Sequence, residues 1–474
     1  QDYCAWQKSQ YAYRKWGISF MQKQFSTNFT EGPIFRQLLS FSIPFMGANL
    51  LQALYNVVDM VIIGRFMGGV GLSAVSVAGQ VTMLLTCLAM GFSTGAQVLI
   101  AQLTGRNVRE DINRAIGTVF STMLLLGALV TAVGLLGVNW FLSVLNTPQE
   151  AVTQARYYML ICNGGMIFTY GYNAVSAILR GMGDSKRPLM FITIASVLNL
   201  VLDLVFIAVF HMGAAGAALA TIIGQAVSFL FSIYYLFRNQ ERFGFSFQRG
   251  SFRIDMSLFK IYGKLGLPMT LQMCAVTVSF MIINSYVNAY GVAASAISGV
   301  GSKLTSILSI VANSMQSACA GMVGQNISIG NTDRIKRIVS CSFGFCAVCA
   351  VVFCAVCLLF PRQVISLFSS DEEILALARP YLQASVAGYA GSFLMASTNG
   401  LILGVGAMTF NFIIAFLDSI AGRIGLSLLL GKVLGLGLSG FWWGCSLAGY
   451  ITVFAGLIYY FSGVWKSRRI LDAI

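Results

Sequence analysis

The sequence predicts an all-α polytopic membrane protein with twelve transmembrane helices in two pseudo-symmetric six-helix bundles. Of its 474 residues, 57% are hydrophobic and only 10% are charged, whereas about a quarter of the residues in soluble domains are charged. Apolar segments long enough to cross ~30 Å of hydrocarbon recur from Leu38 almost to the C-terminus. Short motifs from the first half also return in the second half. The first two observations predict the class, and the third predicts the two bundles.

The repeat has an offset of about 223 residues. Pro44 corresponds to Pro268, and the Gly-x-Gly motif at Gly181 corresponds to the one at Gly404. Six spans per half is an even number, so both halves keep one orientation and are related by an axis along the membrane normal. We therefore expect an N-terminal cytoplasmic segment at residues 1–32 and two six-helix lobes at residues 33–237 and 265–463. A cytoplasmic linker at residues 238–264 joins the lobes, and a cytoplasmic tail follows at residues 464–474.

The apolar segments place the twelve spans in chain order. The first 20 residues are expected to be non-native, because Met21 is a natural start and no apolar signal-peptide core precedes residue 30. The expected spans of the two lobes are about 38–63, 72–102, 115–141, 152–179, 189–210 and 215–237, then about 266–290, 294–325, 338–360, 374–403, 408–431 and 440–462.

The net charge of +14 could indicate nucleic-acid binding, but its distribution argues against that. Most Lys and Arg residues lie in short loops at alternate helix ends, which is the positive-inside pattern of membrane proteins. We expect a multi-pass plasma (bacterial inner) membrane protein that binds no nucleic acid, acts as a monomer, and has both termini in the cytoplasm.

The first span carries a carboxylate, Asp59, within an apolar run. A charged side chain at mid-membrane is costly and is usually functional. On an α-helix, Gln52 and Asn56 share the face of Asp59, with Tyr55 beside them, and these three residues are expected to line a substrate cavity. A structural Asp that only fixes helix packing is the alternative to an ion or proton site.

Two later spans of the first half supply matching polar groups. Asn199 and Asp203 lie one turn apart on span 5, and Thr221 lies on span 6. Carboxylate, amide and hydroxyl oxygens are the ligands that a hard cation such as Na⁺ needs, whereas two close carboxylates can also carry a proton. The sequence leaves both ions open.

The second half has one intramembrane acid, Asp418, and it is not a symmetric copy of Asp203. Lys303 of span 8 is the expected partner, since Arg423, five residues on, is a poorer same-face partner on an α-helix. A structural ion pair and a second ion or substrate site both remain open for Asp418.

The sequence contains no recognisable catalytic or nucleotide-binding motif. It shows no Ser-His-Asp arrangement, zinc site or phosphate-binding loop, and Gly435-x-Gly437-x-x-Gly440 lies between two spans without a preceding strand. We therefore expect neither an enzyme nor an ATP-driven pump, and no cofactor.

Three segments together resemble the multidrug and toxic compound extrusion (MATE) family, with closest similarity to its DinF-like branch. They are LLQALYNVVDMVIIG from Leu50, LRGMGDSKRP from Leu179 and NLVLDLVFI from Asn199, and the likeness covers about 33–465. The resemblance implies V-shaped lobes and a cation site at Asp59, Asn199, Asp203 and Thr221, with Asn173 lining the same lobe. The carboxy-lobe acidic pattern of the NorM-like branch is not seen.

The function that the resemblance implies is secondary active antiport. Amphipathic, often cationic, drugs or toxic metabolites would leave the cell in exchange for Na⁺ or H⁺ by alternating access. A flippase for a lipid-linked precursor would need cavity cations, of which the spans offer only Lys303 and Arg423. An ion channel and a membrane enzyme are the remaining rivals.

Overall fold

In the computed structural model, the described residues are 28–106, 109–145, 147, 149–243, 245–368 and 371–467, and they form helices and connecting turns without a strand. The expected N-terminal extension (1–20) and the end of the tail (468–474) lie outside these residues. The helices of the first half are α1 Ile34–Arg106, α2 Arg109–Leu136, α3 Val138–Val144, α4 Gln149–Gly164, α5 Met166–Gly181, α6 Lys186–Asp203, which a π-helical turn Leu204–Val209 continues, and α7 Ala214–Arg238.

The second half repeats this order after a short connection. That connection contains α8 Gln240–Phe243 and a 3₁₀ turn Arg249–Phe252. The helices that follow are α9 Met256–Asn288, α10 Val292–Ser328, α11 Thr332–Leu359, α12 Pro361–Ser366, α13 Glu372–Ala376, α14 Ala378–Gly404, α15 Met408–Leu417, with π-helical segments Asp418–Leu426 and Leu429–Val433 after it, α16 Gly437–Ser462, and a 3₁₀ turn Val464–Ser467.

Helix boundaries recur at the offset seen in the motifs. α2 Arg109–Leu136 and α11 Thr332–Leu359 are both 28 residues long and start about 223 residues apart. α5 and α14 end at Gly181 and Gly404, which have the same spacing. The two halves therefore share one helix order and one spacing of turns.

The long helical segment α1 folds back on itself. A straight helix of its 73 residues would measure roughly 110 Å at 1.5 Å per residue. Yet Phe29 N, just before α1, donates to Gln325 Oε1 at 2.9 Å, and a Cβ at Gly105 would overlap the backbone oxygen of the same Gln325. Both ends of α1 thus meet one residue, and the segment is a hairpin of two spans.

Hydrogen bonds to α10 locate the reversal. Asn49 contacts Ser314 at 3.4 Å and Gln97 contacts Ser317 at 3.0 Å, so these two α1 residues are level with each other. The chain turns about midway between them, near Ser73, where the first candidate span begins. The expected break between spans 1 and 2 is therefore a sharp change of direction within continuous helical backbone.

Ten described helices are long and apolar enough to cross a membrane. The other two of the twelve expected spans are the first arm of α1 and the pair α4 and α5. That pair is interrupted at Gly165, so each part is only 16 residues long. The chain is an all-α polytopic membrane protein.

The two halves meet along α1 and the helices α9 and α10. Gly91 and Gly95 of α1 lie against Thr270 and Gly266 of α9, where added Cβ atoms would come within 2.9 Å of backbone nitrogen or carbon atoms. The rings of Phe92 and Tyr262 pack edge to face at 5.3 Å. Small residues permit this approach of helix backbones, which is how membrane helices gain packing energy.

The connection between the halves is shorter than the expected linker. α9 begins at Met256, before the expected linker end at residue 264, because the Asp255 side chain accepts hydrogen bonds from the backbone nitrogens of Ser257 and Leu258 and caps the helix. The connection also packs on α2, since Ser121 Oγ donates to Phe252 O at 2.7 Å and Asp255 N donates to Thr118 Oγ1 at 3.0 Å. It is a docked segment.

Candidate functional site

The intramembrane carboxylates of the first half lie together in the structure. Asp203 is the last residue of α6 before its π-helical turn, and its side chain is fully buried. Its carboxyl group lies next to that of Asp59 on α1, and the two groups interact directly. Residues that are 144 positions apart in the chain thus form one acidic pair.

Asn199 and Thr221 complete this cluster. With the Asn199 amide oriented so that its nitrogen faces Asp203, which satisfies both neighbours, it donates to Asp203 Oδ2 at 3.1 Å and its oxygen accepts from the Thr221 backbone nitrogen at 3.0 Å. Thr221 Oγ1 in turn donates to Ala217 O at 3.0 Å. The structure brings together the four residues named for a cation site, which we call the acidic cluster: Asp59, Asn199, Asp203 and Thr221.

Two oxygens of the acidic cluster remain without a hydrogen-bond partner among the described residues. They are Asp59 Oδ1 and Asp203 Oδ1, and both are buried. Buried polar atoms are normally paired, and two carboxylates in contact repel each other unless a positive charge lies between them. A proton or a monovalent cation meets both requirements, so the donor set fits either ion.

A small cavity adjoins the acidic cluster. It is lined by Asn199 and Thr221 together with Ser196 and Gln225, and its volume is about 10 Å³, which is close to the space of one water molecule. Within the described residues no group of three His, Cys, Asp or Glu side chains could hold a metal ion. The space beside the acidic cluster is therefore small.

The expected cavity residues of the first half are only partly described. Gln52 is exposed, and Asn173 is half-buried with its amide nitrogen donating to Thr169 O at 2.8 Å. The side chains of Tyr55 and Asn56 lie outside the described ones. The assignment of these four residues to a substrate cavity stays a prediction.

The expected partner of Asp418 is wrong. Asp418 Oδ2 binds Arg423 Nη2 at 2.9 Å, while the Lys303 side chain is exposed. Residues five apart point about 140° away from each other on an α-helix. The segment Asp418–Leu426 is π-helical, however, and its i to i+5 repeat places them on one face. No residue pattern in the sequence indicates that turn.

Hydrogen bonds between the halves cluster near the basic loops around Arg106, Lys186 and Arg334, a side of the molecule that we call the basic face. Gln97 contacts Ser317 and also accepts from Arg180 Nε at 3.2 Å. Gln102 Nε2 donates to Gly404 O at 2.9 Å. The bonds to Ser317 and Gly404 hold the two halves together at one end of the spans.

Comparison with known proteins identifies the class to which this fold and site belong. The family model MatE matches residues 44–205 and 268–427, one match in each half. A "Probable multidrug resistance protein YpnP" of Bacillus subtilis (strain 168) is 31% identical over 450 residues, which cover 94% of this chain and 98% of the relative. The chain belongs to the MATE family, which consists of transporters.

Two further similarities agree with this assignment. A "Probable multidrug resistance protein NorM" of Thermotoga maritima is 26% identical over 92% of this chain and 94% of its own length. The solved structure "Crystal structure of MATE in the bent conformation" superposes with a TM-score of 0.86 at 23% identity, covering 95% and 98% of the two chains. The DinF-like branch stays a prediction, and the comparisons support neither the flippase nor the channel.

Proposed function

We propose that this protein is a secondary active antiporter that exports amphipathic, often cationic, drugs or toxic metabolites across the plasma membrane. Membership of the MATE family and the multidrug resistance names of its relatives support export of small molecules. In this proposal the protein acts as a monomer. Both termini lie in the cytoplasm, in line with the clustering of basic residues in loops at alternate helix ends.

The contact between Asp59 and Asp203 is the observation that carries the coupling mechanism. One arm of α1 holds the first carboxyl and α6 holds the second, so the charge on the pair acts between two helices. An ion that enters neutralises the repulsion and draws α1 and α6 together. Loss of the ion has the opposite effect, and this movement links ion binding to the shape of the first half.

The proton is the coupling ion that this geometry favours. The amide oxygen of Asn199 already accepts from Thr221 N, and the hydroxyl of Thr221 already donates to a backbone oxygen. Na⁺ needs several oxygen ligands, and the Asn199 and Thr221 oxygens that could serve already take part in hydrogen bonds. A proton shared between the two carboxyls needs none of them.

Alternating access requires the bonds at the basic face to break in one state. They are side-chain hydrogen bonds such as Gln97 to Ser317 and Gln102 to Gly404 O, each worth about 0.5–1.5 kcal/mol net. A seam of this strength opens at modest cost when the first half changes shape. The structure with these bonds formed is, in our proposal, the state closed towards the cytoplasm.

Transport by purified protein in liposomes tests this function. Ethidium, a fluorescent lipophilic cation, is offered under an imposed pH gradient or an imposed Na⁺ gradient, for the unmodified protein, Asp203→Asn and the control Asp333→Asn. Asp333 is an exposed acid paired with Lys336 at 2.9 Å on α11. We expect the pH gradient to drive accumulation except in Asp203→Asn, because an amide keeps the shape but cannot carry the proton. Full transport by Asp203→Asn refutes the coupling site, and transport that follows only the Na⁺ gradient refutes the proton.

A further inference from the structure

The second half contains a cavity that the acidic cluster does not explain. Its volume is about 330 Å³, which is within the range of small-molecule sites in proteins. Helices α9, α10, α14 and α16 and the π-helical segment after α15 form its walls. Aromatic rings and hydroxyl groups alternate around it, including Phe280, Tyr381, Tyr389, Trp442, Ser302 and Thr305.

The pair of Asp418 and Arg423 lies in the wall of this cavity. Their side chains are only 7% and 9% exposed, and Nη2 and Oδ2 are 2.9 Å apart. Arg423 Nη1 also donates to Ser279 Oγ at 2.9 Å, and its guanidinium lies 4.0 Å from the ring centroid of Phe280. The contacts with Ser279 and Phe280 therefore fix the position of the Arg423 guanidinium beside Asp418.

Each partner has one polar atom left over. Asp418 Oδ1 and Arg423 Nε are buried and have no hydrogen-bond partner among the described residues. The first is an acceptor and the second a donor, so the ion pair in the cavity wall has one unpaired group of each kind. A buried polar atom without a hydrogen-bond partner lowers the stability of the fold by about 1–3 kcal/mol, and by more when the group is charged.

We propose that this cavity binds an amphipathic zwitterion, a molecule with an aromatic body and a polar head that carries an ammonium and a carboxylate together. The ammonium donates to Asp418 Oδ1, the carboxylate accepts from Arg423 Nε, and the body packs against the aromatic walls. Binding of this ligand in the cavity does not depend on the proposed transport function, whereas the role of the cavity as a substrate site rests on that function.

Charge explains why a zwitterion fits better than a simple cation. A cation is attracted by Asp418 but repelled by the positive Arg423, and an anion is attracted by Arg423 but repelled by Asp418. A head with both charges satisfies both leftover atoms through charge-assisted hydrogen bonds, which are about twice as strong as neutral ones. The same pair disfavours a coupling-cation site here, because Arg423 already supplies the positive charge.

Two fluorescent probes that differ by one carboxylate test the proposal. Dansylcadaverine is a cation, and Nε-dansyl-lysine is the same chain with a carboxylate beside the ammonium. Binding of each to the purified protein in detergent is measured by fluorescence, without any gradient. We expect Nε-dansyl-lysine to bind about tenfold more tightly, and equal or weaker binding of the zwitterion to the unmodified protein overturns the proposal.

Two variants test whether the zwitterion binds at the pair of Asp418 and Arg423. Asp418→Asn with Arg423→Gln removes both charges together and so leaves no uncompensated buried charge, which single replacements would create. The double variant should lose the tenfold preference. Lys432→Gln, which changes an exposed basic residue of the π-helical segment Leu429–Val433 outside the cavity wall, should keep it. Retention of the preference in the double variant overturns the proposal, and loss of ion-driven transport alone does not affect it.

Discussion

Replacing Gly91 by Ala should separate the two halves where α1 crosses α9. The added methyl group would lie 2.7 Å from the Thr270 backbone nitrogen and 2.9 Å from its Cα, and it would overlap Thr270 Oγ1. Backbone atoms cannot rotate away, so the helices must move apart. Overpacking of this kind costs about 1–3 kcal/mol.

Gly79→Ala is the matched control in the same helical segment. No atom lies within 4 Å of a Cβ added at Gly79, so the change brings only the helix preference of Ala over Gly, worth about 0.5–1 kcal/mol of stabilisation. The two variants make the same chemical change in one helical segment, so the helix preference cancels and their free energies of unfolding should differ by the overpacking cost of about 1–3 kcal/mol.

The assay is the fraction of protein that remains monodisperse by size-exclusion chromatography after heating in detergent. Gly91→Ala should lose this fraction at a clearly lower temperature than the unmodified protein, and Gly79→Ala should match or exceed the unmodified protein. Equal melting of Gly91→Ala and Gly79→Ala would show that the halves do not pack along this seam.

Three further predictions concern the basic face and the connection between the halves. Gln97→Leu removes its bonds to Ser317 and Arg180 and should raise the labelling rate of a cysteine placed in that seam, with unchanged labelling as the contrary result. Asp255→Ala removes the cap of α9 and should destabilise the start of that helix by about 1 kcal/mol, seen as faster proteolysis there. The hydrogen bond from Ser257 lowers the pKa of Asp255, so the capping by its carboxylate is complete above the ordinary Asp pKa. That capping should be lost as the pH falls through the lowered value in the unmodified protein, whereas Asp255→Ala should show no such change. A cysteine at the exposed Gln248 should be shielded from impermeant thiol reagents in intact cells, and labelling from outside would contradict the topology.

Much of the fold follows from patterns that the sequence states directly. Apolar length locates the spans, and the recurrence of Pro44 at Pro268 locates the repeat. Asp59, Asn199 and Asp203 could be selected because polar groups inside spans are few and costly. Their residue types indicated the chemistry, while their mutual contact could only come from the packing of α1 on α6.

The features that the sequence did not reveal depend on irregular backbone or on packing. The bond between Asp418 and Arg423 arises from a π-helical segment, which α-helical periodicity does not anticipate. Docking of the connection depends on Gly117, where a Cβ would overlap the Ser251 oxygen. The α-helical reading made Arg423 a poorer partner for Asp418, and the polar composition of the connection predicted a cytoplasmic linker without indicating that it docks on α2.

The central claim is that ion binding at the acidic cluster opposes substrate binding. If ion and substrate favour different conformations, each must lower the affinity for the other by reciprocity. The direct measurement is the equilibrium binding of ethidium to purified protein as the pH is lowered or the Na⁺ concentration is raised. The account predicts that acidification weakens ethidium binding in the unmodified protein and that Asp59→Asn removes this dependence. An ethidium affinity in the unmodified protein that responds to neither ion would contradict it.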